Sequence, residues 1–240
     1  MEDNNPYRSL EAPPAAFAAA NEKAAFLKKV YGILLLGVLG FAATLFACAT
    51  VPALTDLTWR FANLIYGNGL MGWAIYMAIF LGGSWLVQSV AEKRPINAFA
   101  YAGWVVLMAL MVAPVVLIAS EAHGVGIIQQ ASALTALVFG GLTVYVLWTG
   151  KDFSWMRGLL MLGFLVLVAT SLLGWVLGFS LGLWFSGLVV LLAAGYILYN
   201  TSVILNHLPT HMAMTGAITL FTDVVLLFKH ILILLMNSDD

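Results

Sequence analysis

Residues 215–236 read TGAITLFTDVVLLFKHILILLM. This single apolar run is long enough, at about 1.5 Å per helical residue, to cross a hydrocarbon core of about 30 Å. It nevertheless carries Asp223, and further on Lys229 and His230. An ionisable group inside a membrane helix costs roughly 2.5–3.5 kcal/mol on insertion scales, so such residues face a bundle interior and mark function. The length of the run gives the class of protein, and its aspartate gives the first candidate for chemistry.

Six more apolar runs precede it, at about residues 30–51, 70–90, 98–119, 131–149, 158–179 and 184–205. None alternates with the period of two that a membrane strand needs, so helices are the expected element. Hydrophobic residues make up 62% of the 240-residue chain and charged residues 9%, whereas soluble domains carry about 25% charge. The fold class expected is an all-α membrane protein, a bundle of seven transmembrane helices in a lipid bilayer. The chain divides into a flexible polar cytoplasmic tail over 1–27, a single transmembrane domain over 28–237 and an acidic end at 238–240. The tail, broken by Pro6, Pro13 and Pro14, turns helical near Asn21. A net charge of −1 excludes nucleic acid as a partner. Cys48, the lone cysteine, permits no intrachain disulfide and reads as a small apolar helix residue.

Lysine and arginine in short loops set the orientation. Arg8, Lys23, Lys28, Lys29, Lys93, Arg94, Lys151 and Arg157 fall on one side, and only Arg60 falls on the other. The N-terminus is therefore expected in the cytoplasm of a cell bounded by this inner (plasma) membrane. Seven spans then leave the C-terminus outside; a seventh run that dipped in and returned would keep it inside.

Runs six and seven form a hairpin over the short segment 206–215. Asn200 precedes that segment by about six residues and Asp223 follows it by about eight, so an antiparallel pair brings the two to one depth. The Asn200 amide can then donate to the Asp223 carboxylate, with the Thr201 and Thr222 hydroxyls adjacent. Two readings follow: a gate that changes charge, or a structural acid that pins the two helices together. Lys229 is about 9 Å along the helix and about 120° around it from Asp223, so the two do not pair directly. It either faces the interior or, as its stem favours, snorkels to the outer surface. His230 reads as a packing residue. His207 and His211 straddle Pro209 without an accompanying Glu or Cys, which gives a weakly basic loop and no metal site. An aspartyl protease needs two carboxylates sharing a proton. Asn200 stands where the second would be, and no catalytic pair converges elsewhere. The chain is not expected to be an enzyme or to hold a cofactor.

Several segments together resemble the Bax inhibitor-1 family, the transmembrane Bax-inhibitor-motif proteins. They are FLKKVY at 26–31, ALVFGG at 136–141, TGKDFS at 149–154, GYILYNT at 195–201 and LFTDVVLLF at 220–228. Bacterial members implicated in modulating a membrane-bound AAA protease look especially similar around helices four and five. The resemblance implies that helix seven lies centrally within a ring of the other six. For some members it also implies a pH-sensitive calcium leak, gated by two aspartates on helices six and seven that share a proton. Asp223 matches the helix-seven aspartate. The helix-six segment departs from Tyr-Asp-Thr and reads Tyr199-Asn200-Thr201. One carboxylate cannot form a coupled dyad, so the two-step titration is lost and a calcium site is weakened. Arg94, at the cytoplasmic end of the second run, is a candidate counter-ion. The expectation is a candidate cation leak, for calcium or protons, with Asp223 and Asn200 as gate and pH sensor and Thr201, Thr222 and Arg94 in support. The rival is a non-conducting regulator in stress response that binds a membrane AAA protease or another membrane partner through the tail.

Overall fold

The structure, a computed structural model, describes residues 14–178 and 182–238. Among these residues there are eight α-helices and no strand: α1 Ala20–Thr50, α2 Pro52–Tyr66, α3 Gly69–Ser89, α4 Ile96–His123, α5 Val125–Thr149, α6 Arg157–Leu177, α7 Gly182–Asn206 and α8 Ala213–Met236. All except α2 are long and apolar enough to cross a membrane, so the protein is multi-pass with seven spans. Large side chains lie exposed around the outside, including Trp148 at 87%, Trp184 at 88% and Leu137 at 71%. A water-soluble monomer rarely shows so much apolar surface in one piece; here it is the face that lipid covers.

The expected central position of the seventh span is observed. α8 packs against α1, α3, α4, α5 and α7, and its tightest neighbour is the antiparallel α7. α4 is as deeply placed: 61% of its apolar stretch is buried and 56% of that of α8, against a third or less in the other spans. The ring around α8 is incomplete, because α6 packs on α3 and α7 instead. At the core Phe221 meets Tyr101 edge-on at 5.7 Å and Phe41 at 6.1 Å, offset geometries that aromatic quadrupoles favour.

Two features were not read from the sequence. The segment between the first two apolar runs forms α2, which at 15 residues is too short to span. Pro52 opens it, where a missing N–H costs nothing. Thr58, Ala62 and Ile65 recur at helical spacing to form its buried side, while Asp56 and Arg60 pair at 2.9 Å on the exposed side. α2 packs on α1, α3 and α4 at the end of the bundle away from the N-terminal segment, the far end below. The second feature concerns residues expected in a loose tail. α1 begins at Ala20, in line with the helical start expected near Asn21, but before it a single 3-10 turn, Ala15–Phe17, docks on the α7–α8 loop through Ala15 N–H to the Leu208 carbonyl at 3.0 Å. Residues 1–13, the rest of that tail, and the acidic residues 239–240 lie outside the described residues.

α1 can approach the centre because Gly37 has no side chain. A Cβ there would fall on the Tyr101 side chain and press on Phe221. Gly37→Leu is therefore expected to destabilise the folded protein by about 1–3 kcal/mol, the usual cost of overpacking. Gly32→Leu, where nothing lies within 4 Å, serves as the control. Thermal unfolding in detergent measures both; equal midpoints for the two variants would refute the close approach.

Candidate functional site

The α7–α8 hairpin brings Asn200 and Asp223 together. Asn200 Nδ2 donates to Asp223 Oδ2 at 2.6 Å. Asp223 is buried, at 7% exposure. It lies ten residues into α8, about 15 Å along the helix, and so near mid-bundle. Beside it a cavity of about 260 Å³ runs between α3, α6, α7 and α8 toward the far end, where Ile65 and Tyr66 of α2 line it.

The other expected members are placed elsewhere. Thr222 faces α4: its Oγ1 accepts from Trp104 Nε1 at 3.0 Å and donates to the Ile218 carbonyl at 3.0 Å. Thr201 is buried toward α1 and α5. There its hydroxyl and that of Thr143 lie against Tyr31, and none of the three reaches hydrogen-bond geometry. Arg94 is exposed in the α3–α4 loop and, among the described residues, makes no hydrogen bond or ion pair with Asp223 or Asn200. The expected direct contact of Arg94 with the pair is not made among the described residues. A hydrated guanidinium at the bundle end gains nothing by crossing about 15 Å of apolar wall to mid-bundle. The site is thus a two-residue pair.

Lys229 does not snorkel. It is 8% exposed, with Nζ on the Tyr76 hydroxyl at 3.0 Å and 4.8 Å from the Tyr76 ring centroid. Tyr76 carries no sequence signal of its own, since one tyrosine in an apolar run looks like any interfacial aromatic. Two other side-chain bonds fix the orientation of the core helices: Gln88 Nε2 donates to Thr219 Oγ1 at 2.9 Å, joining α3 to α8, and Trp73 Nε1 donates to Ser171 Oγ at 3.1 Å, joining α3 to α6.

A second cluster closes the end of the bundle where α7 meets the α5–α6 loop. Asp152 Oδ1 accepts from the Ser154 backbone N–H at 2.8 Å and from Ser202 Oγ at 3.3 Å, while Oδ2 pairs with His207 Nε2 at 2.8 Å. Ser202 Oγ also accepts from the Phe153 N–H at 2.8 Å. The Ser154 N–H, then His207, hold the Asp152 carboxyl down at about 2. His207 is thus a partner of a specific acid and not merely basic loop character. The TGKDFS segment was the available signal, but its partner lies 55 residues away and no local spacing announces it.

An all-helical, seven-span membrane protein with one buried acid–amide pair on its central hairpin is the class that these observations define. The chain belongs to the Bax inhibitor-1 family: residues 23–240 match the family described as "Inhibitor of apoptosis-promoting Bax1". Among its relatives, a vaccinia virus "Golgi anti-apoptotic protein" is 30% identical over 228 residues, covering 93% of this chain and 90% of the viral one. An uncharacterised Campylobacter jejuni protein is 31% identical over 222 residues, covering 91% and 90%. Mouse "Protein lifeguard 4" is 28% identical over 233 residues, covering 97% and 91%.

Because its folded-state value is depressed, Asp152 contributes stability in full above the ordinary carboxylate value of 3.8 and loses it as the pH falls toward about 2. Between about pH 5 and about pH 2 the unfolding midpoint of the native chain is expected to fall more steeply than that of Asp152→Asn. The difference is small, because both partners are nearly half exposed. Parallel curves in a pH-stepped thermal melt would remove the cluster as a source of acid sensitivity.

Proposed function

We propose that this protein is a pH-sensitive cation leak of the inner membrane, passing calcium or protons, with Asp223 as the group that changes charge and Asn200 as its partner. The reading is carried by one observation, the 2.6 Å contact between the two side chains at the inner end of a cavity within the bundle. An acid at that place is the natural control point for a cation: charged, it attracts one; neutral, it does not. The pair differs from two facing carboxylates in a definite way. An amide cannot take up the shared proton, so the site titrates in one step, and it brings one anionic ligand instead of two, which weakens calcium binding. The orientation proposed with it puts the N-terminal end of the bundle in the cytoplasm, from the distribution of Lys and Arg.

Flux of calcium and of protons into proteoliposomes, followed with a fluorescent indicator across about pH 5 to about pH 8, tests this reading. The native chain is expected to leak with one titration step. Asp223→Asn is expected to flatten the pH response, and Asn200→Asp to steepen it and spread it over two steps. A native leak whose size and pH response survive Asp223→Asn intact refutes the gate.

A further inference from the structure

The cavity that meets Asp223 at mid-bundle has a cationic pole nearer the far end. An ammonium has three N–H donors; Lys229 places one on Tyr76, and among the described residues no carboxylate pairs with it. His230, the next residue, lines the same cavity, and its Nδ1 is buried with no hydrogen-bond partner. The surrounding wall is aromatic and aliphatic, with Trp73, Phe80, Phe164 and Phe185 among its members. A cation with spare donors is costly in such a wall unless an anion completes it. The space, about 260 Å³, lies just under the range of about 300–1,000 Å³ usual for small-molecule pockets. It suits one acid group with part of one hydrocarbon chain, and is too small for the two chains and backbone of a phospholipid.

We propose that this cavity is a binding site for a single-chain anionic amphiphile, of which a fatty acid is the simplest. Its acid group accepts from Lys229 Nζ, and its hydrocarbon lies among the aromatic side chains. Tyr76 is the positioning residue: its hydroxyl and ring hold the ammonium in the cavity in place of the snorkelled position a lysine otherwise takes. Asp223 is about 9 Å away along α8, with Oδ2 occupied by Asn200, so the acid group is bound at the Lys229 end.

Equilibrium binding of radiolabelled decanoate to the full chain, in nanodiscs of a zwitterionic phospholipid, tests the site. Saturable binding is expected. It should weaken about tenfold or more in Lys229→Met, the loss of a hydrogen bond to a charged group, and hardly change in Lys28→Met, which is exposed on α1. Unlabelled decanoate should compete and its methyl ester should not, a comparison made on the native chain that does not depend on any variant folding. Competition by the ester as strong as by the acid, binding unchanged in Lys229→Met, or no saturable binding overturns the proposal. Displacement by phosphatidylglycerol as effective as by decanoate assigns the pole to a phospholipid headgroup and overturns the single-chain site.

Discussion

A bilayer supplies no hydrogen-bond partner, so each polar group on a spanning helix must find one within the protein. That constraint explains why α8 lies at the centre. Thr219, Thr222, Asp223 and Lys229 all project from it, and each is met by a different side chain: Gln88 and Tyr76 from α3, Trp104 from α4, Asn200 from α7. Facing lipid, the Asp223 carboxylate and the Lys229 ammonium would be left unpaired, and the Thr219 and Thr222 hydroxyls would keep only the carbonyl four residues back. The polar residues of α8 therefore draw three neighbours around it, and the apolar residues between them, Phe221 and Leu227 among them, fill the remaining contacts.

The spans and the acid–amide pair were legible because both follow from local rules. Run length against bilayer thickness finds a span, and counting from a shared hairpin places Asn200 opposite Asp223. α2 escaped because a short amphipathic helix, whose buried side is only Thr58, Ala62 and Ile65, has neither the length of a span nor the polarity of a loop. The destination of Lys229 escaped for a different reason. Snorkelling and interior burial cost similar amounts for a lysine about ten ångström from a helix end, and the deciding partner, Tyr76, is 153 residues away. The same distance problem hid Asp152 and His207. Side-chain pairs between helices remote in the chain leave no periodic trace, and Arg94 shows the converse: a charge near the right loop is not thereby near the site.

The cavity between α3, α6, α7 and α8 follows from the packing order. α6 rests on α3 and α7 and not on α8, so α8 turns one side toward a space instead of toward a helix. Asp223 and Lys229 both border that space, and each is held by a neutral dipole, the Asn200 amide and the Tyr76 hydroxyl, instead of by the other. Their mutual attraction is weak for a reason of geometry. At about 9 Å along one helix, opposite unit charges attract by only about 2 kcal/mol at an effective dielectric of about 20. Taking either charge out of water costs several kcal/mol, so each depends on its own local partner.

If the proposed leak and the proposed amphiphile site both hold, that separation has a consequence for traffic through the cavity. In the proposed leak, a cation moving from the far end toward Asp223 would pass the Lys229 ammonium first, and the repulsion it met there would be of the same order as the attraction beyond. An anionic head group resting on Lys229 cancels that repulsion and leaves the acid alone to set the field at mid-bundle. The two poles are thereby coupled through charge and not through contact. Whatever binds at the outer one changes the electrostatic cost of a cation at the inner one, and by linkage a cation at Asp223 changes the affinity at Lys229 by the same factor.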